Sequence, residues 1–342
     1  MKVCFLILHY NEIELTQRAV ESIMRMDVPE SDRPIVIVDN CSPNGSGQEL
    51  IKKYCPDGKS DAILESLDDS CSELESKYEE VNGDNVCLGS HGIRIILNNE
   101  NGGFAKGNNI GYRYIREHLD ADFVVALNND ISFPQTDFIG KLTELYESEP
   151  EDKRFYLAGP DVWTPNIRSH ISPLDKKYKG KRDVEKRFDQ ISQSIKTYSK
   201  PFDLATYTRY LQDKYAGTWL LNMYNRIRSS EYDGALPHGE PAYNCVLNGA
   251  CLIFDRRYIE EYNLLFDEAT FLYAEEDFLT YRLVKAEKPI RYCPELTVDH
   301  IGQGSSNFSS LTYRSYCDKM IQTEGRIRES FEKYLEYIDE EE

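Results

Sequence analysis

The sequence predicts an α/β protein: a mostly parallel sheet flanked by helices, with a helical insertion. Three observations point there. Residues 123–127 form an apolar, β-branched run without polar alternation, the pattern of a strand buried on both faces, and the run stops abruptly at Asn128, Asn129 and Asp130. Residues 35–38 repeat the pattern and stop at Asp39 and Asn40. Ahead of them, Leu15, Ala19, Ile23 and Met26 recur at helical spacing after a first apolar run, so strand, helix and strand begin a right-handed βαβ wind.

Bulk properties narrow the class. At 342 residues and 40% hydrophobic content the chain can fill one large domain or two smaller ones. A formal net charge of −19 sets a repulsive field against nucleic-acid phosphates, so nucleic acid is not an expected partner. Nine cysteines occur without a C-x-x-C pair, which indicates neither a zinc knuckle nor a disulfide framework and fits a reducing cytosol. Residues 1–8 are too short for a secretory apolar region, and no run approaches the roughly 18 apolar residues of a membrane span. The expected location is cytoplasmic, with any membrane contact peripheral, at the inner face of the cell membrane.

Taken in order, the first strand covers residues 1–8 and ends at His9, Tyr10 and Asn11. After the second strand, residues 41–47 are a turn cluster whose glycines lack the spacing and the lysine of a phosphate loop. Residues 55–90, rich in Asp, Glu and Ser, are a surface insertion. A strand at 93–97 leads into a glycine-containing stretch, 98–109, and a helix around 107–118. Three glycines and Lys106 there fit an anion at a helix N-terminus as well as they fit a plain strand-to-helix connection. Beyond Asp130 come a helix marked by Phe138, Leu142 and Leu145 and a strand at 155–160.

Between 166 and 244 the chain changes character. Lys176, Lys177, Lys179, Lys181, Arg182, Lys186 and Arg187 form a basic cluster, and Leu204, Tyr207, Leu211, Trp219, Leu220, Met223, Tyr224 and Ile227 form an apolar and aromatic stripe. This insertion packs on the core or on a second subunit, which would make a homodimer, or it serves as a peripheral membrane surface. An apolar run at 245–254 contains Gly249 and Ala250, which leave room for a ligand or another backbone, and Glu275, Glu276 and Asp277 open an amphipathic helix. Short strands at 290–293 and 296–298 end at Asp299 and His300, and 309–338 is a charged helix with no catalytic role assigned. The expected units are 1–165, 166–244, 245–308 and 309–342.

Strand ends thus carry Asn11, Asp39, Asp130 and His300 to one sheet edge, where open α/β sheets bind ligands, with Lys106 on the same side. A carboxylate among amides suits a divalent cation holding phosphate oxygens, although Asn-Asn-Asp also fits an Asx turn. The acidic helix start offers a general base to a transfer reaction, or a set of acids that stabilise the helix dipole.

The motifs His9-Tyr10-Asn11, Val38-Asp39-Asn40-Cys41-Ser42, Asn101-Gly102-Gly103-Phe104-Ala105-Lys106-Gly107-Asn108-Asn109, Leu127-Asn128-Asn129-Asp130, Asn248-Gly249-Ala250 and Phe271-Leu272-Tyr273-Ala274-Glu275-Glu276 resemble, in this order, those of family 2 glycosyltransferases of the GT-A fold. The nearest likeness is to bacterial rhamnosyl-, galactosyl- and glucosyl-type enzymes of surface polysaccharide synthesis, over residues 1–53, 91–165 and 245–306. The resemblance implies a Rossmann-like GT-A core and a nucleotide diphosphate sugar donor, UDP- or dTDP-linked. It also implies a glycan or lipid-linked oligosaccharide acceptor, a divalent metal (Mn2+ or Mg2+), and inversion by direct displacement without a covalent intermediate.

Position by position, the resemblance makes Asp39 a contact to the base or ribose and Asp130 the metal carboxylate, with His300 completing the metal or diphosphate site. It makes Glu276 the catalytic base, because Leu279 and Arg282 follow it in the family's register; Asp277 is the second candidate. His9, Tyr10, Asn11, Lys106, Asn109, Asn128, Asn129, Gly249, Ala250 and Glu275 are expected to line the nucleotide-sugar site. Asn128 stands where many members carry an acid, and Glu276 replaces the commoner Asp. A sugar nucleotidyltransferase would carry a Gly-rich, basic loop after its first strand, which His9-Tyr10-Asn11-Glu12 lacks, and a non-catalytic carbohydrate-binding protein would have no use for Asp39, Asp130 and Glu276 together.

Overall fold

The unalternated apolar runs become the centre of one mixed sheet. Strands β1 (Val3–His9), β2 (Ile35–Asp39), β4 (Ile93–Leu97) and β5 (Phe123–Asn128) lie parallel in the order β4-β2-β1-β5, and the short β3 (Val86–Leu88) pairs antiparallel outside β4. Beyond β5 the order continues through β10 (Cys251–Asp255), β7 (Leu157–Thr164), β11 (Ile290–His300) and β6 (Ile131–Ser132). Small strands β8 (Ser169–His170) and β9 (Ala242–Tyr243) pair with β7 and β11. Strand β10 is antiparallel to both β5 and β7, and β11 is parallel to β7, so β11 ends at the same edge as β1, β2 and β5. Registry levels those ends: His9 pairs with Asp39, and Leu8 with Asn128. The computed structural model describes residues 1–55, 86–165, 168–215, 239–301 and 311–341; most of the surface insertion expected at 55–90 and the stripe residues Trp219, Leu220, Met223, Tyr224 and Ile227 lie outside them, while the end of that insertion forms β3.

Alternate strand residues feed two cores. Val3, Phe5 and Ile7 face a layer of α1 (Ile13–Met24), α2 (Ser46–Tyr54) and α4 (Phe138–Ser148), while Cys4, Leu6, Val36 and Val38 face α3 (Gly103–His118), α7 (Arg256–Glu261) and α8 (Glu275–Lys285). In a further helical layer of α5 (Lys181–Tyr198), α6 (Leu204–Lys214) and α9 (Tyr313–Glu341), α5 and α9 cover the outer side of α8 through Val184, Phe331, Tyr334 and Ile338, which pack on Phe278 and Tyr281. Tyr198, Tyr210, Tyr316 and Cys317 join α5, α6 and α9 in a second small core, with Tyr207 and Leu211 packed against it.

Three boundaries differ from the sequence expectation, each for a local reason. Helix α3 starts at Gly103, not near 107, because Gly103, Gly107 and Gly111 lie at i, i+4 and i+8 on its inner face. A Cβ at Gly107 would meet Leu8 and Asn40, and one at Gly111 would meet Leu6 and Val38, so close helix-to-sheet packing outweighs glycine's weak helix propensity. Strand β7 runs past Pro160 to Thr164; β10 pairs only with residues 157 and 158, so the missing N–H of Pro160 breaks no bond to it. Within the apolar run at 245–254, Val246 bridges Asp175, and β10 begins only at Cys251. The two short strands near 290–298 are one strand with a register shift between Cys293 and Thr297, around Pro294.

Three members of the basic cluster form ion pairs within the chain, while Lys176, Lys177, Lys181, Arg182 and Lys186 stay exposed. Lys179 pairs with Asp277, Lys181 with Asp339 at 2.9 Å, and Arg187 with Glu324 at 3.9 Å. Among the described residues, no helix is long and apolar enough to cross a membrane.

Candidate active site

At the carboxyl end of β5 the chain turns sharply into β6, and this turn presents Asn129 and Asp130. Asn129 leans back toward α1, its Nδ2 donating to the Glu12 carbonyl and the Thr16 hydroxyl. Asp130 is fastened from β11: its Oδ2 lies 3.2 Å from His300 Nε2, and its carbonyl accepts from the Ile301 amide at 2.9 Å. Asp130 Oδ1 and His300 Nδ1 are both buried and have no hydrogen-bond partner among the described residues. Orphaned buried atoms on adjoining side chains call for a ligand. Among the described residues no group of three or more His, Cys, Asp or Glu gathers to cage a metal. One carboxylate and one imidazole nonetheless fit a Mg2+ or Mn2+ ion that takes the rest of its ligands from diphosphate oxygens and water.

The adjoining strand ends build a polar turn. Asp39 is 3% exposed; it accepts from the Ser42 hydroxyl and, at 3.3 Å, from the Ser42 amide, and burial raises its carboxyl above the ordinary range despite those bonds. Ser42 Oγ also accepts from the Asn11 amide at 2.9 Å, and Asn11 sits at φ 66° with its side-chain oxygen buried and unpartnered. Tyr10 is exposed beside it. His9 differs from expectation. Its ring is fully buried, with Thr16 at 2.6 Å on Nδ1 and Ser46 at 2.8 Å on Nε2, and burial pulls its pKa down to about 4. A neutral imidazole with both nitrogens engaged stiffens the turn from below instead of meeting a ligand.

The glycine stretch resolves toward the plain connection. The amides of Gly102, Gly103 and Phe104 donate to Asn40 Oδ1, Asn101 Oδ1 and the Phe271 carbonyl, so the first donors of α3 are already used. Gly103, at φ 83°, lies where any Cβ would strike the Phe271 carbonyl. The close backbone approach is thus between two segments of the protein. Lys106 is exposed on the first turn of α3. Asn109, expected at the donor site, is 1% exposed and ties α3 to the loop at 265–268, donating to the Phe266 carbonyl and to Glu268 and accepting from the Leu265 and Phe266 amides.

Helix α8 carries the acidic triplet and has two faces. Tyr273 and Ala274 precede it at φ 79° and 69°, a left-handed pair that costs non-glycine residues on the order of 1–3 kcal/mol each and is held by packing. Leu279 and Leu283 point into the sheet-side core, and Arg282 donates to Tyr258 and to the Leu265 carbonyl. Helical spacing puts Glu276 on this same side. Its Oε1 accepts from the Gly249 amide at 3.1 Å, and the room left by the missing Cβ of Gly249 is filled by that carboxylate. Phe278 and Tyr281 face the outer helical layer, and Asp277 goes with them, its two oxygens 3.0 and 3.2 Å from Lys179 Nζ. Glu275 is buried and accepts from the Thr270 hydroxyl at 3.0 Å.

Electrostatics separate the three acids. Burial, then the neighbouring Glu276 charge, pushes Glu275 up to about 7. Burial raises Glu276, with Asp277 adding to the effect and the Gly249 amide and Lys179 opposing it. Asp277 is raised by burial and drawn back by Lys179. Glu276 is the half-buried member, the others being buried. Desolvated yet reachable, it suits proton abstraction, whereas Asp277, the second candidate from sequence, is committed to an ion pair.

A path of contacts links the two ends of this edge. Glu276 holds Gly249; Ala250 accepts from the Asn128 amide at 3.0 Å; Asn128 leads through Asn129 to Asp130 and His300. Sequence reasoning missed Lys179, Ser330, whose hydroxyl donates to the Leu272 carbonyl at 2.6 Å, and Tyr334, whose hydroxyl donates to the Lys179 carbonyl at 2.9 Å. The available signal was a basic cluster in an acidic chain that also carries an unexplained acidic triplet.

A parallel αβ sheet joined through one inverted strand to a second parallel pair, with an acidic turn after its central strand, is the architecture of GT-A glycosyltransferases. The model of glycosyl transferase family 2 matches residues 4–214, and the chain belongs to that family. Helix α8 lies outside the matched residues. No curated protein matches the chain. Similar solved structures include S. aureus TarS 1–349 in complex with UDP-GlcNAc, at 12% identity and TM-score 0.46, covering 95% of this chain and 66% of that one. The same protein in complex with UDP is 11% identical at TM-score 0.44, covering 94% and 70%. This chain thus spans just under two thirds of the first of these structures.

Proposed function

We propose that this family 2 glycosyltransferase moves a hexose or deoxyhexose from a UDP- or dTDP-linked donor to a hydroxyl of a glycan or lipid-linked oligosaccharide, inverting the anomeric carbon by direct displacement. The observation that supports this best is the path of contacts from the Asp130–His300 pair through Asn128 and Ala250 to Gly249 and Glu276. Asp130 and His300 would hold a Mg2+ or Mn2+ ion, which when bound neutralises charge on the donor diphosphate.

The remaining roles belong to this chain's own side chains. Asp39, the Ser42 turn, Tyr10 and Asn11 bound the nucleoside, and Lys106 adds positive charge on the same side. Glu276 takes the proton of the acceptor hydroxyl as that oxygen bonds to the anomeric carbon, and the nucleoside diphosphate leaves with the electron pair of the broken C–O bond. No enzyme nucleophile is needed, so one carboxylate suffices. The working units are a donor half at 1–165, the insertion at 166–244 governing acceptor choice, a base-bearing half at 245–308 and the bracing helix at 309–342. The site of action is cytoplasmic, at the inner face of the membrane. Binding to anionic liposomes at low salt checks that placement, and its absence removes the membrane part.

The test is transfer from UDP-, dTDP- and GDP-sugars with and without Mn2+, in the wild type and in Glu276→Gln. The variant is expected to lose roughly 10²- to 10⁴-fold in transfer while donor affinity survives. If donor affinity collapses equally, Glu276 belongs to the donor site and the assignment of the base is wrong.

A further inference from the structure

Lys179 comes from the 166–244 insertion, outside every motif that carries the family resemblance, yet its ammonium reaches both oxygens of Asp277, 98 residues away in the chain. The pair is shielded, with the Lys179 side chain 26% exposed and that of Asp277 7%. Lys179 is itself pinned: its carbonyl accepts from Tyr334 of α9, its ammonium lies 5.7 Å from the Phe331 ring centroid, and Asp175 stands 4.0 Å away. Asp277 is the residue next to Glu276 in the first turn of α8. An unpaired carboxylate there would press a like charge on Glu276 and leave a buried charge uncompensated.

We propose that Lys179 is a positioning residue for the transfer reaction: by locking Asp277 into a buried ion pair it fixes the first turn of α8 and leaves Glu276 as the group that exchanges a proton with the acceptor. This rests on Glu276 being the base. The charged and titratable groups around Glu276 are Glu275 and Asp277 on its own helix, Lys179 and Asp175 from the segment packed over it, and Tyr334 from α9 beside Asp277. Lys179 is the cation of this set, and it opposes the rise that burial imposes on Glu276. The insertion thus supplies a charge that works against the larger effect of burial on the base.

The experiment follows the Glu276 carboxyl by ¹³C NMR titration, assigned with Glu276→Gln, in the wild type, Lys179→Met, Asp277→Asn and the double variant, alongside kcat against pH. Lys179→Met is expected to move the Glu276 midpoint to higher pH, Asp277→Asn to lower pH, and the double variant to return near the wild type. On the acid side, kcat of Lys179→Met should fall roughly three- to tenfold with the donor KM unchanged, and Lys179→Arg should recover much of it. If Lys179→Met does not fold, Asp277→Asn and the double variant, which leave no buried carboxylate unpaired, carry the comparison. One midpoint shared by all variants overturns the proposal, as does a loss of kcat uniform across pH. The titration needs no turnover, so shifted midpoints in an inactive wild type would instead count against the glycosyl-transfer reading.

Discussion

Glu276 lies directly against Gly249: its Oε1 accepts from the glycine amide at 3.1 Å, and its carboxyl group fills the space a Cβ would take. Gly249→Ala must therefore push the carboxylate aside while the backbone stays put. A displacement near 1 Å at a reacting group costs on the order of 10²-fold in rate. Steady-state kinetics are expected to show that loss in kcat, with urea unfolding changed by less than about 1 kcal/mol. An unchanged kcat would mean that the Glu276 position does not matter.

Glu275 links stability to pH. Its carboxyl is pushed up to about 7 from an ordinary 4.5, so the native state holds the proton more tightly than the unfolded chain. The stabilisation is complete below about pH 4.5 and is lost as pH rises through 7. At 1.36 kcal/mol per pH unit this is at most roughly 3 kcal/mol, shared in practice with the coupled Glu276. Glu275→Gln keeps an acceptor for Thr270 and is expected to be more stable than the wild type at pH 8, the difference closing by pH 5. Thermal unfolding at the two pH values checks it, and a pH-independent difference would contradict it.

Asp130 offers one unpartnered oxygen next to His300. A donor at one hundred times its Kd should stabilise the wild type in Mn2+ by about 2.7 kcal/mol. Asp130→Asn is expected to abolish the Mn2+-dependent part of that shift, and His300→Ala to weaken it. Equal stabilisation of Asp130→Asn in Mn2+ would take the metal away from this turn.

The glycines of α3 can be tested against an innocent one. A methyl at Gly111 would overlap Leu6 and Val38, so Gly111→Ala is expected to lose about 1–3 kcal/mol in urea unfolding. Gly140 in α4 is exposed with nothing near its missing Cβ, and Gly140→Ala should gain about 0.5–1 kcal/mol. If the two substitutions behave alike, α3 does not sit as closely on the sheet as described.

Much of the fold was legible because burial on both faces leaves an unbroken local signature. The runs ending at His9, Asp39 and Asn128 became the parallel strands β1, β2 and β5. The register of Glu276, Leu279 and Arg282 likewise carried information, since Leu279 enters the core and Arg282 clamps the helix to Tyr258. Residue type alone misled where a polar group proved internal: His9 and Asn109 carry ligand-like chemistry but spend all of it on Thr16, Ser46 and the loop at 265–268.

The sequence by itself determined the central strands β1, β2, β4 and β5, the acid at the end of β5 and the acidic opening of α8, because each is written in a short local run of residues. Only the tertiary structure decided which acid faces the sheet and which is neutralised, since Lys179 and Asp277 are 98 residues apart and no local pattern encodes a pairing across that distance. Burial and charge at a site are sums over neighbours from distant segments, and those neighbours exist only once the chain has folded.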